Sequence, residues 1–417
     1  MWRLTKEQEA LRERTREFAL EKIQPKVGRV EESGDYPWDL YEALADQGIL
    51  ALAIPAEYGG SAKETLSLNV CVEELARVSG TVSLMAAYVK LSALPILVAG
   101  TEEQKQRFLP GLASGRELAC YAISEPHAGS DPGNLYTRAE RSGDRWLLNG
   151  TKRFIGNAGM ADYAVVFART GESGPKGISA FVVPGDADGF RTEPLDTMGL
   201  AGWKLGELHF EDVEVPDENL LGGEEGTGFK NAMQVFDASR PCVAAQAVGI
   251  AQGAVDLAVD YATRRQVFGR PLAMHEGIQM KLATMEAEIV AARALAYQAS
   301  AMVDEGHPRV TKFASAAKLV ASDVAMRVTT QAVDVLGGNG YLRGFPAERM
   351  MRDAKVLQIY EGANDIQRLV LAREMAAEAE GRDPVWPEWM PGAPGVASGE
   401  GPGARAEREK EGEPAGA

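Results

Sequence analysis

The chain reads as an α+β protein, mainly α, built from three packed units, because its apolar period changes twice along 417 residues. Helical spacing governs residues 1–118, short alternating runs between turn signals occupy 119–228, and helical spacing returns over 229–382. With 45% hydrophobic residues, there is enough apolar surface to give such units a large core.

In the first unit, KEQEALRERTREFALEKI is an amphipathic helix, and breaks at DYPWD, PAEYGG and GTEEQ divide the helices that follow. Lys90 is a cation in the otherwise apolar run YVKLSALPI, and the expectation is that its stem carries the ammonium out to solvent. From Ala119 the segments ACYAI, YTRAERSGDRWLLNGTKRFI, DYAVVFAR, ISAFVVP and GELHFEDVEVP read as strands, the second broken by a turn at Ser142-Gly143-Asp144. A long helix then runs from Asn231 to Val267, with Ala244, Val248, Ala251, Val255, Ala258 and Ala262 as its apolar stripe. Residues 383–417 are acidic and rich in Pro and Gly, a composition too poor in apolar groups to offset ordering entropy, so they read as a disordered tail.

A formal charge of -16 argues against a nucleic-acid or anionic-membrane surface, so any phosphate must be held by local groups. Three separated cysteines and four histidines without CxxC or HExxH indicate neither a disulfide framework nor a metal site, and fit a reducing cytoplasm. The N-terminal stretch lacks the apolar segment of a signal peptide, and no apolar run of about 18 residues suggests membrane insertion.

The chemistry-bearing stretches are glycine-rich or charged. SEPHAGSD (124–131), GTKRFIGNAG (150–159) and VLGGNGY (335–341) are neither GxGxxG after a strand nor GxxxxGK[ST], which disfavours a Rossmann or P-loop site. Ser124 follows an apolar strand and opens a loop of backbone N–H groups, suited to a polar or anionic ring edge, although a plain structural loop has the same composition. Arg240 and Arg265 fall on one long helix, 25 residues and so roughly 38 Å apart, and serve two ends of an extended ligand or two ligands, unless both are simply solvated. In IYEGANDIQR, Glu361 precedes a glycine between two helical runs; Gly362 is suited to end one helix in a left-handed conformation and Asn364 to cap the next.

Taken together, CYAISEPHAGSD, NGTKRFIGNAG, FDASRPCVAAQAVGIAQGAVDLAVDYATRRQVFG, VLGGNGY and MRDAKVLQIYEGANDIQR resemble the acyl-CoA dehydrogenases over residues 1 to about 378. The resemblance implies an N-terminal α-helical domain, a small middle β-barrel or sandwich domain and a C-terminal four-helix bundle, usually assembled as a homotetramer with FAD between domains and across a subunit interface. It assigns Glu361 as catalytic base, with Tyr360 and Gly362 lining the substrate, Asp237 and Arg240 at the CoA end, and Ser130 at the pantetheine of the CoA thioester. For the flavin it implies Tyr121, Ile123, Ser124, Ser130, Phe154, Ile155 and Gly156, and also Arg265, Phe268, His275, Gly337, Gly338, Ala363 and Asp365. Some relatives carry their base at the position of Ser239, which has no carboxylate.

The implied reaction is oxidation of an acyl-CoA to its trans-2-enoyl-CoA, by α-proton abstraction at Glu361 and β-hydride transfer to flavin N5, with electrons passed to an electron-transfer flavoprotein. An acyl-CoA oxidase using O2 and a non-catalytic acyl-CoA-binding scaffold are the alternatives. Where the family has Trp-Ile-Thr this chain has Phe154-Ile155-Gly156, and the missing Thr side chain is expected to leave space beside the flavin.

Overall fold

The computed structural model describes residues 4–62 and 64–380; the acidic tail, 383–417, lies outside the described residues. Six helices come first: α1 (Lys6–Phe18), α2 (Val27–Ser33), α3 (Trp38–Asp46), α4 (Thr65–Ala76), α5 (Gly80–Ala99) and α6 (Glu102–Ala113). Their starts follow local chemistry. Thr5 with Gln8 and Thr101 with Gln104 form reciprocal capping boxes at α1 and α6, and the Ser79 hydroxyl caps α5. Each cap satisfies N–H groups that have no partner within the helix.

Seven strands follow: β1 (Ala119–Ala122), β2 (Arg138–Ser142), β3 (Arg145–Gly156), β4 (Tyr163–Arg169), β5 (Ile178–Pro184), β6 (Phe190–Leu195) and β7 (Leu205–Pro216). They form one mixed sheet in the order β1-β4-β2-β3-β7-β6, with β5 antiparallel on β4. The hairpin β2–β3 turns at Gly143 as the sequence implies, pairing Ser142 with Arg145. Sequence reading missed β6: its four central residues are exposed and it contains a proline, so it shows no alternating apolar pattern. Its pairing with β7 creates the strand. The register of β3 on β7 slips between Lys152 and Ile155, and this bulge encloses Phe154.

The chain then returns to helix with α7 (Gly228–Arg264), α8 (Glu276–Asp304), α9 (Val310–Leu336), α10 (Pro346–Leu357) and α11 (Asn364–Ala379). The six stripe residues of α7 are all buried, and its sides belong to two cores. Ala232, Val235 and Cys242 pack with the N-terminal helices, whereas Ala244, Val248 and Ala251 pack with α8 and α9 residues such as Ala292 and Ala321. Gly249 and Gly253, one turn apart, let α7 lie directly on α4 and its C-cap. A methyl at either would come within 2.2 Å of the Glu73 or Arg77 carbonyl oxygen. By length and apolarity α5 and α7 match membrane-spanning helices, but 78% and 83% of their apolar windows are buried within this fold.

Lys90 departs from expectation. It is 6% exposed, and its Nζ donates to the Thr65 hydroxyl (2.8 Å) instead of reaching solvent. Packing of α5 against α4 and α7 encloses the stem, so the ammonium finds the nearest oxygen within reach.

Asp353 on α10 ties three segments together. Its Oδ1 accepts the Leu200 N–H at 2.6 Å, and Gly80 at the start of α5 is packed so closely on it that a Cβ would meet Oδ2 at 3.1 Å. Burial pushes the Asp353 carboxyl up to about 6. The folded state therefore favours the protonated form, and this contribution is lost as pH rises from about 4 through 6. The amount lost is about 3 kcal/mol, the equivalent of the shift. Asp353→Asn keeps an acceptor for Leu200 and has no charge to bury. Thermal denaturation across this range is expected to show the melting temperature of the native protein falling relative to that of the variant as pH increases.

Candidate functional site

α10 ends at Leu357, and the chain crosses to α11 in six residues. Gly362 is left-handed as expected (φ 86°), but so is Glu361 (φ 56°). Six non-glycine residues among those described have positive φ, and Phe154, Glu361 and Phe268 are three of them. A left-handed L-residue costs roughly 1–2 kcal/mol, so surrounding contacts must fix it.

Those contacts come from three helices. From α7, the Ser239 hydroxyl donates to Glu361 Oε2 (2.6 Å) and Arg240 Nε to the Glu361 carbonyl (3.4 Å). From α11, Gln367 Nε2 donates to the carbonyls of Glu361 (3.1 Å) and Gly362 (2.9 Å); a side chain on Gly362 would strike that amide at 2.5 Å. From α9, Lys318 Nζ donates to the Gly362 carbonyl at 2.8 Å. Asn364 does not act as the expected cap. Its side chain is drawn sideways onto α9, accepting from Lys318 (2.7 Å) and donating to Ser322 (2.9 Å) and Asp323 (2.7 Å). Among the described residues the Glu361 N–H has no acceptor.

Burial raises the Glu361 carboxyl above its ordinary range, against the opposing effects of the Ser239 hydroxyl and the Arg240 and Lys318 charges. Arg240 is itself held by Asp237 (3.1 Å) and Ser315 (3.2 Å), and Thr311 donates to the other Asp237 oxygen (2.6 Å). Beside Glu361, the Tyr360 hydroxyl donates to Gln246. Across from it stands Tyr121 on β1, edge-on to Phe236 of α7. Among the described residues its buried hydroxyl has no partner, and the Glu361 and Arg240 charges both act on it. Such an orphan inside a polar cluster suits a site that binds a polar ligand. Tyr121, Asp237, Arg240, Tyr360, Glu361 and Gly362 are thus one constellation.

Strand ends supply a second wall. After Ile123 and Ser124 the chain enters the loop 124–131, anchored by a fully buried ion pair: Lys152 Nζ lies 2.8 Å from Glu125 Oε1 and 3.1 Å from the Ile123 carbonyl. Glu125 also accepts the Tyr136 and Thr137 N–H groups, at 2.6 and 2.9 Å. Burial draws Lys152 down to about 8. The exposed end of this loop carries Ser130. On β3, the bulge turns the Phe154 ring outward, 59% exposed, while Ile155 and Gly156 stay buried.

The expected space at Gly156 is absent. A Cβ there would lie 2.6 Å from Trp203 and 2.8 Å from Tyr88, whose hydroxyl also donates to the Gly156 carbonyl (3.2 Å) and accepts the Tyr121 N–H (3.3 Å). Two aromatic rings fill the volume.

The remaining candidates gather at the far end of α7. Arg265 caps the helix, Phe268 is 96% exposed, and His275 Nε2 contacts the Val267 carbonyl (3.1 Å). Asn339 joins the 337–341 turn to this end through Tyr261 (2.9 Å). Gly337 and Gly338 have no atom within 4 Å of a Cβ position, an open cradle of backbone. Arg240 and Arg265 therefore belong to two separate surfaces. Ala363 and Asp365 flank the Glu361 turn, Asp365 pointing outward to Arg368 (3.0 Å). Asp334 is exposed and pairs with Lys281 (3.4 Å).

Sequence reading missed Lys318, Gln246, Ser315 and Thr311. Their positions in helices that are largely small and apolar, as in AAKLVAS, are the one signal available beforehand.

Profiles described as the N-terminal, middle and C-terminal domains of acyl-CoA dehydrogenase match residues 5–116, 120–213 and 226–376. The chain is 44% identical to cyclohexane-1-carbonyl-CoA dehydrogenase of Geobacter metallireducens, over 91% of this chain and 100% of that one. Its structure resembles butyryl-CoA dehydrogenase from Megasphaera elsdenii with a TM-score of 0.87 and 41% identity, covering 90% and 100% of the two chains. A chain from a structure described as an electron transferring flavoprotein of Acidaminococcus fermentans matches equally well, with TM-score 0.87, 42% identity and coverages of 90% and 99%.

Fold and site define an oxidoreductase of the FAD-dependent class acting on acyl-CoA thioesters. The chain belongs to the acyl-CoA dehydrogenase family. The glycine cradle, the outward Phe154 ring and the partnerless Tyr121 hydroxyl fit a planar, polar-edged, phosphate-bearing cofactor. Because Gly156 is packed by rings, Gly156→Thr is expected to overpack the site and destabilise it by about 1–3 kcal/mol. The check is a lowered melting temperature together with a lowered ratio of flavin to protein absorbance.

Proposed function

We propose that this protein is an acyl-CoA dehydrogenase in which Glu361 removes the α-proton of the thioester, giving a trans-2-enoyl-CoA. One observation carries the reading: a carboxylate with raised pKa sits on a strained backbone beside an N–H that has no acceptor among the described residues. Proton removal next to a thioester places charge on its carbonyl oxygen, so a base and a hydrogen-bond donor are needed together. Glu361 supplies the base through its side chain and the donor through its backbone.

Ser239 keeps the carboxylate oriented until substrate arrives. An acyl chain that displaces water there desolvates it further, making it a stronger base in the complex. Asp237, Arg240, Ser130, Tyr360 and Gly362 are assigned to the acyl-CoA. Arg240 offers a buried positive charge suited to the CoA end of the ligand. Tyr121, Ile123, Ser124, Phe154, Ile155 and Gly156 are assigned to the flavin ring, with Arg265, Phe268, His275, Gly337, Gly338, Ala363 and Asp365 toward its remaining parts. When bound, FAD supplies the hydride acceptor that completes the oxidation.

We assign electron-transfer flavoprotein as the acceptor, the cytoplasm as the compartment, and a homotetramer as the assembly. The exposed Phe268, Tyr341 and Leu342 beside the far site support a subunit contact there. The rings packed on Gly156 remove the ground for an O2-accessible cavity at that position.

Glu361→Gln keeps size and polarity but cannot accept the proton. The variant is expected to bind FAD and acyl-CoA, so that ligand still perturbs the flavin spectrum, while bleaching by substrate slows by about 10⁴-fold or more. Bleaching at the native rate would assign the base elsewhere.

A further inference from the structure

Lys318 is fully buried on α9 beneath the turn that carries Glu361. Its Nζ donates to two uncharged acceptors on that turn, the Gly362 carbonyl (2.8 Å) and Asn364 Oδ1 (2.7 Å). Among the described residues no carboxylate oxygen lies within ion-pair distance of it. The charged groups that act on Lys318 are Glu361 from the turn, Arg240 from α7 and Asp323 from α9 itself. Two of these are already engaged: Arg240 by Asp237 (3.1 Å), and Asp323 by Asn364 (2.7 Å), Gln358 (2.7 Å) and Arg368 (3.0 Å). Among the described residues the Glu361 carboxylate has no partner within ion-pair distance, and its one hydrogen bond comes from the Ser239 hydroxyl.

We propose that Lys318 is a positioning residue for proton abstraction, clamping the Gly362–Asn364 turn that aims Glu361 and setting, by its charge, how firmly the Glu361 carboxylate holds a proton. This rests on the reading of Glu361 as the base. The clamp follows from geometry, because one tetrahedral nitrogen grips both the residue after the base and the first residue of α11. The tuning follows from electrostatics. An ammonium near a carboxylate favours its ionised form, which keeps Glu361 charged at lower pH but makes it a weaker base. The neutral amine still donates to the same acceptors without that restraint. Burial lowers Lys318 to about 7, so the change of charge falls in the neutral range. Arg240 stays charged throughout and cannot provide this response.

The test is the rate of flavin bleaching after anaerobic mixing of the holoenzyme with saturating acyl-CoA, followed from about pH 5 to 9. The native enzyme is expected to show two inflections, a lower one from Glu361 and an upper one near 7 from Lys318, with the rate rising through both. Lys318→Gln, which keeps a donor but not the charge, is expected to lose the upper inflection and move the lower one upward by about one unit. Lys318→Arg, charged at every pH, is expected to keep the lower inflection near its native position and also lack the upper one. A variant slowed uniformly, with both inflections in place, would overturn the proposal. So would a native profile with one inflection, even if neither variant folded. If the native enzyme is not bleached by any acyl-CoA, the assignment of function fails instead, so the two failures are distinct.

Discussion

The site depends on one constraint, a glutamate held in a left-handed backbone between two helices. Left alone, that conformation relaxes, at a gain of roughly 1–2 kcal/mol. It persists because Arg240, Gln367 and Lys318 hold the carbonyls of Glu361 and Gly362 from three directions while Ser239 holds the carboxylate. Each donor stands on a different or oppositely placed helix face, so the turn stays put only if α7, α9 and α11 keep their relative positions. The hydrophobic core near the turn is therefore also the support of the site.

The same logic extends along α7. Its small stripe residues and the Gly249–Gly253 contact with the carbonyls of Glu73 and Arg77 set its distance from α4. That seating places Ser239 and Arg240 at Glu361, and Arg265 at the far glycine cradle. On the sheet side, the bulge at Phe154 and the buried Lys152–Glu125 pair shape the strand-end wall that follows Tyr121. A buried pair of this kind is worth little net stability against apolar residues, but loss of one partner strands a charge, so it fixes the loop geometry.

Much of this was legible in the sequence. The two changes of period located the helical and β regions, and five ordered motifs pointed to the family. The rest was hidden for identifiable reasons. Strand β6 has no buried face to leave an alternating pattern, so only its partner β7 defines it. Gly156 suggested a hole, because sequence shows the side chain that is missing but not Tyr88 and Trp203, which arrive from distant segments to fill it. Lys90 and Lys318 look alike as cations in apolar helices, yet one donates to the Thr65 hydroxyl and the other grips the turn beside Glu361. Asn364, placed well for a cap by its spacing, is diverted by stronger partners on α9.

In the proposed reaction the α-proton leaves to a buried base as flavin is reduced. The most direct measurement is the anaerobic bleaching rate of the native holoenzyme with an acyl-CoA deuterated at the α-carbon, compared with the unlabelled thioester. A several-fold slower rate is expected with the deuterated substrate at saturation, since in this reaction proton removal is part of the step that reduces the flavin. Equal rates with rapid bleaching, or no bleaching by any acyl-CoA, would contradict it.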